Sequence, residues 1–254
     1  ISSYYLSPLA TTLQAILPSG IQKKRRPNLN HTEIAKRERT NILFNDEQTN
    51  SLDILSKHKS GTFLLHGITG SGKTEIYIEI AKQSINSGKS VIVLVPEIAL
   101  TSQLIAEFSN HFKNLLTTHS RMTESERHQV WLEALHSQEP RIVIGPRSAL
   151  FMPLPNIGAI IVDEAHEPSY KQEQAPKYSA LRVATMLGKF YEAKVIFGSA
   201  TPNILDYYLA EKSDRPILKL TKVARNNSIP PEISLIDMTK RLNFTKHRFI
   251  SNQM

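Results

Sequence analysis

Gly67-Ile68-Thr69-Gly70-Ser71-Gly72-Lys73-Thr74 is a complete G-x-x-x-x-G-K-[ST] octapeptide, placed directly after an apolar run at 62–66 and directly before a helical pattern at 74–87. That context is what a phosphate-binding loop requires. Glycines let consecutive backbone N–H groups turn toward an anion, and the N-terminus of the following helix adds positive potential. In such a loop Lys73 would neutralise the β- and γ-phosphates of ATP, and the Thr74 hydroxyl would ligate Mg²⁺.

Outward from the loop, short continuous apolar runs at 62–66, 90–95, 141–145, 159–162 and 194–197 alternate with helical patterns at 74–87, 99–113, 123–137 and 178–192. Runs that are apolar at every position belong to strands buried on both faces. Strands interleaved with helices make a parallel sheet with crossover helices. The fold class is therefore α/β, a doubly wound P-loop NTPase sheet of the RecA-like kind over about 45–210. Residues 1–17 carry apolar side chains at helical spacing (Leu6, Leu9, Leu13, Ile16, Leu17) and are expected to form one short amphipathic helix, stopped by Pro18-Ser19-Gly20. Residues 46–57 read as another helix, with Leu52 and Leu55 on one side. Residues 211–254 are weakly patterned and read as a linker.

The 254 residues contain no cysteine, which excludes disulfides, thiol nucleophiles and Cys-ligated metals within them and fits a reducing compartment. Apolar runs such as 91–96 fall far short of the roughly 18 residues that cross a bilayer, so no membrane partner is expected. The net charge of +8 is unevenly placed: residues 61–199 hold 13 basic and 13 acidic side chains, while 1–60 and 200–254 each hold 9 and 5. Basic flanks suit phosphate contacts on a nucleic acid. Solvated tails account for them equally well.

Ile160-Ile161-Val162-Asp163-Glu164-Ala165-His166 is an apolar strand ending in two carboxylates. At the carboxyl end of a parallel strand an acid faces the crevice where ligands bind in open α/β sheets. Asp163 could hold the Mg²⁺ shell, and Glu164 could orient and deprotonate a water in line with the γ-phosphate. A surface turn would explain Asp-Glu alone, but not Asp-Glu paired with the loop at 67–74.

The phosphate loop, Asp163-Glu164-Ala165-His166 and Gly198-Ser199-Ala200-Thr201-Pro202 resemble motifs I, II and III of superfamily 2 helicases. Pro96-Glu97-Ile98-Ala99-Leu100-Thr101, Gly145-Pro146-Arg147-Ser148-Ala149-Leu150-Phe151 and His166-Glu167-Pro168-Ser169-Tyr170-Lys171-Gln172 are similar to segments of the primosomal protein N′ family, the PriA replication-restart helicases. The similarity is dense from about 45 to 202. The opening Tyr4-Tyr5-Leu6-Ser7-Pro8-Leu9 is a weaker match to the segment entering that family's winged-helix domain.

The resemblance implies a role for each matching position. Gln48 would read the adenine edge, where the alternative is an exposed helical glutamine. Glu97, Thr101, Arg147 and Ser148 would hold the single-strand backbone. His166, Ser199 and Thr201 would couple nucleotide state to DNA grip. Tyr170, Lys171, Lys177 and Tyr178, on a loop directly after the acidic pair, would stack bases and meet phosphates, although tyrosines on such a loop also serve as packing plugs. Trp131, His66 and His119 read as structural residues.

The resemblance also implies parts that this sequence does not contain: a second motor lobe bearing arginines for the γ-phosphate, a cysteine-built zinc module, and most of the leading DNA-binding domain. Residues 1–44 would then be an N-terminal helical or winged-helix remnant with a basic linker, and 211–254 a linker toward the second lobe. On this reading the protein is an ATP-dependent 3′→5′ DNA helicase of replication restart, cytoplasmic and bacterial. Its partners would be single-stranded and forked DNA, primosome proteins and single-strand-binding protein. Without an arginine finger, which contributes about 10³–10⁵ in rate where one is used, turnover by this chain alone should be feeble. Two other readings fit the same motifs: a nucleotide-gated binding module that does not move, and another superfamily 2 translocase or RNA helicase.

Overall fold

The computed structural model describes residues 1–18, 43–96, 102–113, 115–213 and 215–224, together with Asp237 and Thr239. Seven strands form one sheet: β1 (Gly61–Gly67), β2 (Ser90–Leu94), β3 (Leu115–Thr117), β4 (Ile142–Gly145), β5 (Ile157–Val162), β8 (Lys194–Ser199) and β9 (Ile217–Leu220), in the order β3-β4-β2-β5-β8-β1-β9. All pairings in it are parallel. Between the strands lie α4 (Lys73–Asn86), α5 (Ser102–His111), α6 (Glu124–His136), α7 (Ala180–Phe190) and α8 (Ile204–Lys212).

Every residue of β2 is buried, as continuous apolar character requires of a central parallel strand. Alternation along each strand divides the core in two. Phe63, Leu65, Val91, Val93 and Ile161 face one layer with Ile76, Tyr77 and Ile80 of α4, while Leu64, Ile92, Leu94, Ile160 and Val162 face the other with Ala180, Val183 and Ala184 of α7. Each fully buried Leu or Ile contributes about 1.5–3 kcal/mol, so the sheet edge that carries the functional loops rests on a rigid base. No helix among the described residues is long and apolar enough to cross a membrane.

All five expected strands are present, with small shifts at their ends. Helix α8 has no counterpart in the sequence reading, and three further features differ from it. The N-terminal segment forms two helices, α1 (Ser2–Tyr5) and α2 (Leu9–Ile16), because Leu6 adopts a left-handed φ of 52° and Pro8 starts the second helix. The sheet gains two edge strands, β3 and β9, so it extends beyond residue 210 into what reads as linker. The loop after Asp163-Glu164 is a small antiparallel hairpin, β6 (Lys171–Gln172) with β7 (Tyr178–Ser179). The N-terminus is stitched to this hairpin region: Tyr5 Oη accepts the Ser179 N–H at 3.1 Å, and Arg182 Nη2 donates to Tyr4 Oη at 3.0 Å.

Candidate functional site

Three loops leave the carboxyl edge of the sheet from neighbouring strands. The octapeptide follows β1, Asp163-Glu164 follows β5, and Ser199-Ala200-Thr201 completes β8, which lies between the other two strands. Register sharpens the placement. Val162 pairs with Phe197 and Leu65 pairs with Gly198, so Asp163 and Leu65 stand level with Gly198 on either side of it.

The octapeptide is a tight cradle. Gly70 and Gly72 hold left-handed φ values of 77° and 81°, which residues with a Cβ seldom adopt. A Cβ on Gly67 would come within 2.6 Å of Ser71 Oγ. Ser71 Oγ is buried with no hydrogen-bond partner, a polar atom at the heart of the loop whose hydrogen-bonding capacity the protein itself does not use. Lys73 Nζ donates to the carbonyls of Gly67 at 2.9 Å and Ile68 at 3.5 Å, so the ammonium already lies along the inner curve of the loop.

Helix α3 (Asp46–Lys57) braces this cradle. Asn45 caps it: the Gln48 N–H donates to Asn45 Oδ1 and the Asn45 N–H to Gln48 Oε1, both at 2.9 Å, a reciprocal capping box. The Gln48 amide nitrogen donates to the carbonyls of Ser71 at 3.2 Å and Gly72 at 3.3 Å. This corrects the adenine-edge expectation. Gln48 is 1% exposed and both ends of its amide are engaged by the protein, so here it locks the phosphate loop to α3 and presents no free edge to a base. Its neighbour Glu47 accepts hydrogen bonds from Thr221 N (2.7 Å), Thr221 Oγ1 (2.6 Å) and Lys222 N (3.1 Å), which hold its carboxyl below the usual carboxylate range. The segment so fastened runs on over the loop, where Ala224 N–H donates to the Gly70 carbonyl at 2.9 Å.

Asp163 is tied into the sheet by its own N–H to the Leu94 carbonyl at 2.9 Å. Tyr77 Oη donates to its Oδ1 at 3.0 Å, and Tyr170 Oη donates to its backbone carbonyl at 2.6 Å. Burial pushes the Asp163 carboxyl up and the neighbouring charge of Glu164 pushes it further, against the Tyr77 hydrogen bond, the Glu164 N–H and the Lys73 charge. Burial likewise raises both phenols, which therefore stay protonated as donors. A carboxyl whose folded value lies above its unfolded value destabilises the fold once ionised. That cost is absent below the ordinary carboxylate range and is felt as pH rises through the elevated folded value. Asp163→Asn is therefore expected to stabilise the ligand-free chain at neutral pH. A gain of about 1 kcal/mol would raise the midpoint by about 2–4 °C in a metal-free thermal melt, and a lowered midpoint would contradict it.

Glu164 holds a left-handed φ of 45°, an uncommon conformation for a residue with a Cβ that is tolerated where function or local packing demands it. Its Oε2 lies 3.4 Å from His166 Nδ1, which in turn lies 2.9 Å from Ser199 Oγ. Ser199 is fully buried, and its hydroxyl accepts the Thr201 N–H at 3.0 Å. The chain Glu164–His166–Ser199–Thr201 thus links the acid to the third motif by direct contact.

The expected strand-binding residues divide. Glu97 and Thr101 lie outside the described residues. Ser148, Lys171 and Lys177 are exposed. Tyr170 and Tyr178 are not available for stacking, which corrects that expectation: they are 2% and 6% exposed, and Tyr178 packs edge-on against Phe151 with centroids 5.5 Å apart. Both are plugs beneath the hairpin. Arg147 Nη1 donates to the carbonyls of Ser169 at 2.5 Å and Lys171 at 3.5 Å, so part of its guanidinium holds the hairpin in place. The contacts made by Tyr77, Gly198 and Glu47 escaped sequence reasoning. A helical tyrosine three residues after Thr74 carries no motif, and only the fold shows what it touches.

The glycine cradle with its lysine and the acidic pair on the far side of β8 along the same sheet edge define a P-loop NTPase lobe. Residues 45–207 match the DEAD/DEAH box helicase family, and the chain belongs to that family. It is 42% identical over 191 residues to the replication restart protein PriA of Bacillus subtilis (strain 168), covering 75% of this chain and 24% of the relative. To PriA of Chlamydia muridarum (strain MoPn / Nigg) it is 43% identical over 210 residues, covering 80% and 28%. To PriA of Rickettsia prowazekii (strain Madrid E) it is 34% identical over 257 residues, covering 99% and 38%. The chain therefore spans between 24% and 38% of the length of these relatives. RecG bound to a three-way DNA junction shares the fold, with a TM-score of 0.52 over 71% of this chain and 24% of that one, at 18% identity.

Proposed function

We propose that this chain is the ATP-binding motor lobe of a PriA-type replication-restart helicase, working on single-stranded and forked DNA. The observation that carries the reading is the convergence of three loops on one sheet edge, with Glu164 joined to Ser199 and Thr201 through His166. A group that places the attacking water is thereby in contact with the element that reports nucleotide state.

The donor set suits ATP with Mg²⁺. Backbone amides of residues 67–72 and the Lys73 ammonium would receive the phosphates, and Gln48 would keep the loop in shape. Thr74 and Asp163 would hold the cation, hard oxygen donors of the kind that a small number of protein ligands plus phosphates offer Mg²⁺. When bound, the ion would neutralise charge developing on the phosphates. Glu164 would orient the attacking water and accept its proton. For DNA, the exposed Ser148, Lys171 and Lys177 offer a phosphate-contacting rim, with Arg147, Glu97 and Thr101 assigned there by resemblance.

By the same reading residues 1–44 precede the lobe as a helical remnant and basic linker, and the lobe takes in β9 (Ile217–Leu220), beyond the 45–210 that the sequence suggests, before the remaining residues lead onward. Unwinding in the 3′→5′ direction, cooperation with primosome proteins and single-strand-binding protein, and residence in the bacterial cytoplasm are assigned from similarity to PriA. The test is Mg–ATP hydrolysis with single-stranded DNA, duplex DNA and RNA added in turn, in this chain and in a form extended to the relatives' length. Stimulation by single-stranded DNA above the other polymers is expected. Equal stimulation by RNA would overturn the DNA assignment, and tight nucleotide binding without turnover in both forms would point to a gated binding module.

A further inference from the structure

Tyr77 is one of the largest fully buried side chains in the molecule, yet its hydroxyl is spent on a single polar atom, Oδ1 of Asp163, at 3.0 Å. It reaches that atom by crossing Gly198. A Cβ built on Gly198 would lie 1.6 Å from Tyr77 Oη and 2.8 Å from the ring carbon that bears it. No side chain at 198 is compatible with this path. Tyr77 sits on α4 three residues after Thr74, on the same face of the helix. Gly198 immediately precedes Ser199, whose hydroxyl meets His166 and Thr201. One phenol therefore joins the helix of the phosphate loop, the strand end bearing the acidic pair and the strand bearing the third motif.

We propose that Tyr77 is a positioning residue for the metal-side carboxylate: by holding Asp163 at Oδ1 it sets the rotamer in which that carboxylate meets a divalent cation together with Thr74, and Gly198 is the slot that admits it. Asp163 follows a strand and Thr74 opens a helix on a different strand, so their side chains have no covalent reason to stay in register. The Tyr77 hydrogen bond supplies one, because any displacement of the first turns of α4 carries both the Thr74 hydroxyl and the group that orients Asp163. Partners of this kind fix ligand orientation, and their loss commonly costs 10–100-fold in metal affinity.

This inference rests on the nucleotide-binding reading, and the experiment separates the two. A fluorescent N-methylanthraniloyl ATP is titrated into the chain with excess EDTA and again with excess Mg²⁺. The ratio of the two dissociation constants is the contribution of the metal. In Tyr77→Phe, which keeps the ring and removes only Oη, that ratio is expected to fall by about 10-fold while metal-free affinity stays within about twofold. Gly198→Ala, which displaces Oη from the opposite side, is expected to do the same, and a thermal melt of each variant confirms that it is folded at the assay temperature. An unchanged ratio overturns the proposal. So does a parallel loss with and without metal, which is what a merely structural tyrosine would give, and so does an increased ratio, which would make the phenol a competitor of the cation. Absence of saturable binding in the unmodified chain, or binding indifferent to Lys73→Ala, would instead remove the nucleotide-binding reading and this inference with it.

Discussion

Glu164→Gln is expected to lower ATP turnover by about 10²- to 10⁴-fold while leaving Mg–ATP affinity within about twofold, the signature of a lost general base. The substitution is nearly isosteric. Glutamine tolerates the left-handed φ of 45° as well as glutamate does, and its amide can still meet His166 Nδ1 where Oε2 now lies at 3.4 Å. Asp163 should keep its position, since it is held by Tyr77, Tyr170 and the Leu94 carbonyl, none of which involves the Glu164 side chain, while loss of the Glu164 charge removes one of the causes that push its carboxyl up. What disappears is the carboxylate that can take a proton from water. The measurement is a split between maximal turnover and nucleotide affinity, made with single-stranded DNA present so that the basal rate is at its highest. Turnover equal to that of the unmodified protein would remove Glu164 from the proton-transfer role.

Lys73→Ala should act on the other parameter, weakening Mg–ATP binding by about 10- to 100-fold, as loss of a charge-assisted hydrogen bond worth about 1.5–3 kcal/mol implies. The ammonium is not a remote charge that happens to lie nearby. It is folded against the carbonyls of Gly67 and Ile68, inside the curve that the amides of the loop define. Alanine removes both the cation and this internal tie, so part of the loss comes from a less ordered loop. Titration of the fluorescent ATP into the variant checks the prediction, and affinity unchanged from the parent chain would mean that the nucleotide is held elsewhere. Applied together, the two substitutions assign binding to one residue and proton transfer to the other.

The sheet was largely legible in the sequence because its five central strands are apolar through their middles without polar alternation, a pattern that two-sided burial explains. The omitted parts lack that pattern for physical reasons. Leu115–Thr117 is three residues long, and Ile217–Leu220 is an edge strand with an exposed lysine in the middle of its apolar run. Helix α8 escaped because Ile204, Leu205 and Tyr208 are exposed, so its apolar residues do not mark a buried stripe. The catalytic edge was readable as motifs, but the roles of individual rings were not. Tyr170 and Tyr178 lie in a polar, Pro-flanked segment, and composition cannot distinguish a ring offered to a base from one driven into a core. What decides it is the Asp163 carbonyl that accepts one phenol and the Phe151 ring packed against the other, contacts that composition does not reveal. The same holds for Gln48, whose place in a helix was readable but whose capping box with Asn45 and grip on Ser71 and Gly72 were not.

The phosphate loop is usually treated as a portable octapeptide, but in this protein it is not a module. The space where Gly72 would carry a side chain is taken by the Gln48 amide, 2.1 Å from an ideal Cβ, and closed by Ala224 at 3.1 Å, while Val223 lies against Gly70. Two of those residues come from beyond β9 and one from before β1, so the loop is walled by the first and last parts of the lobe. A graft of residues 67–74 into another parallel sheet would bring the consensus without its walls. Conversely, exchanging α3 or the segment at 221–224 for a relative's version would have to respect a steric contract with a glycine that neither segment contains.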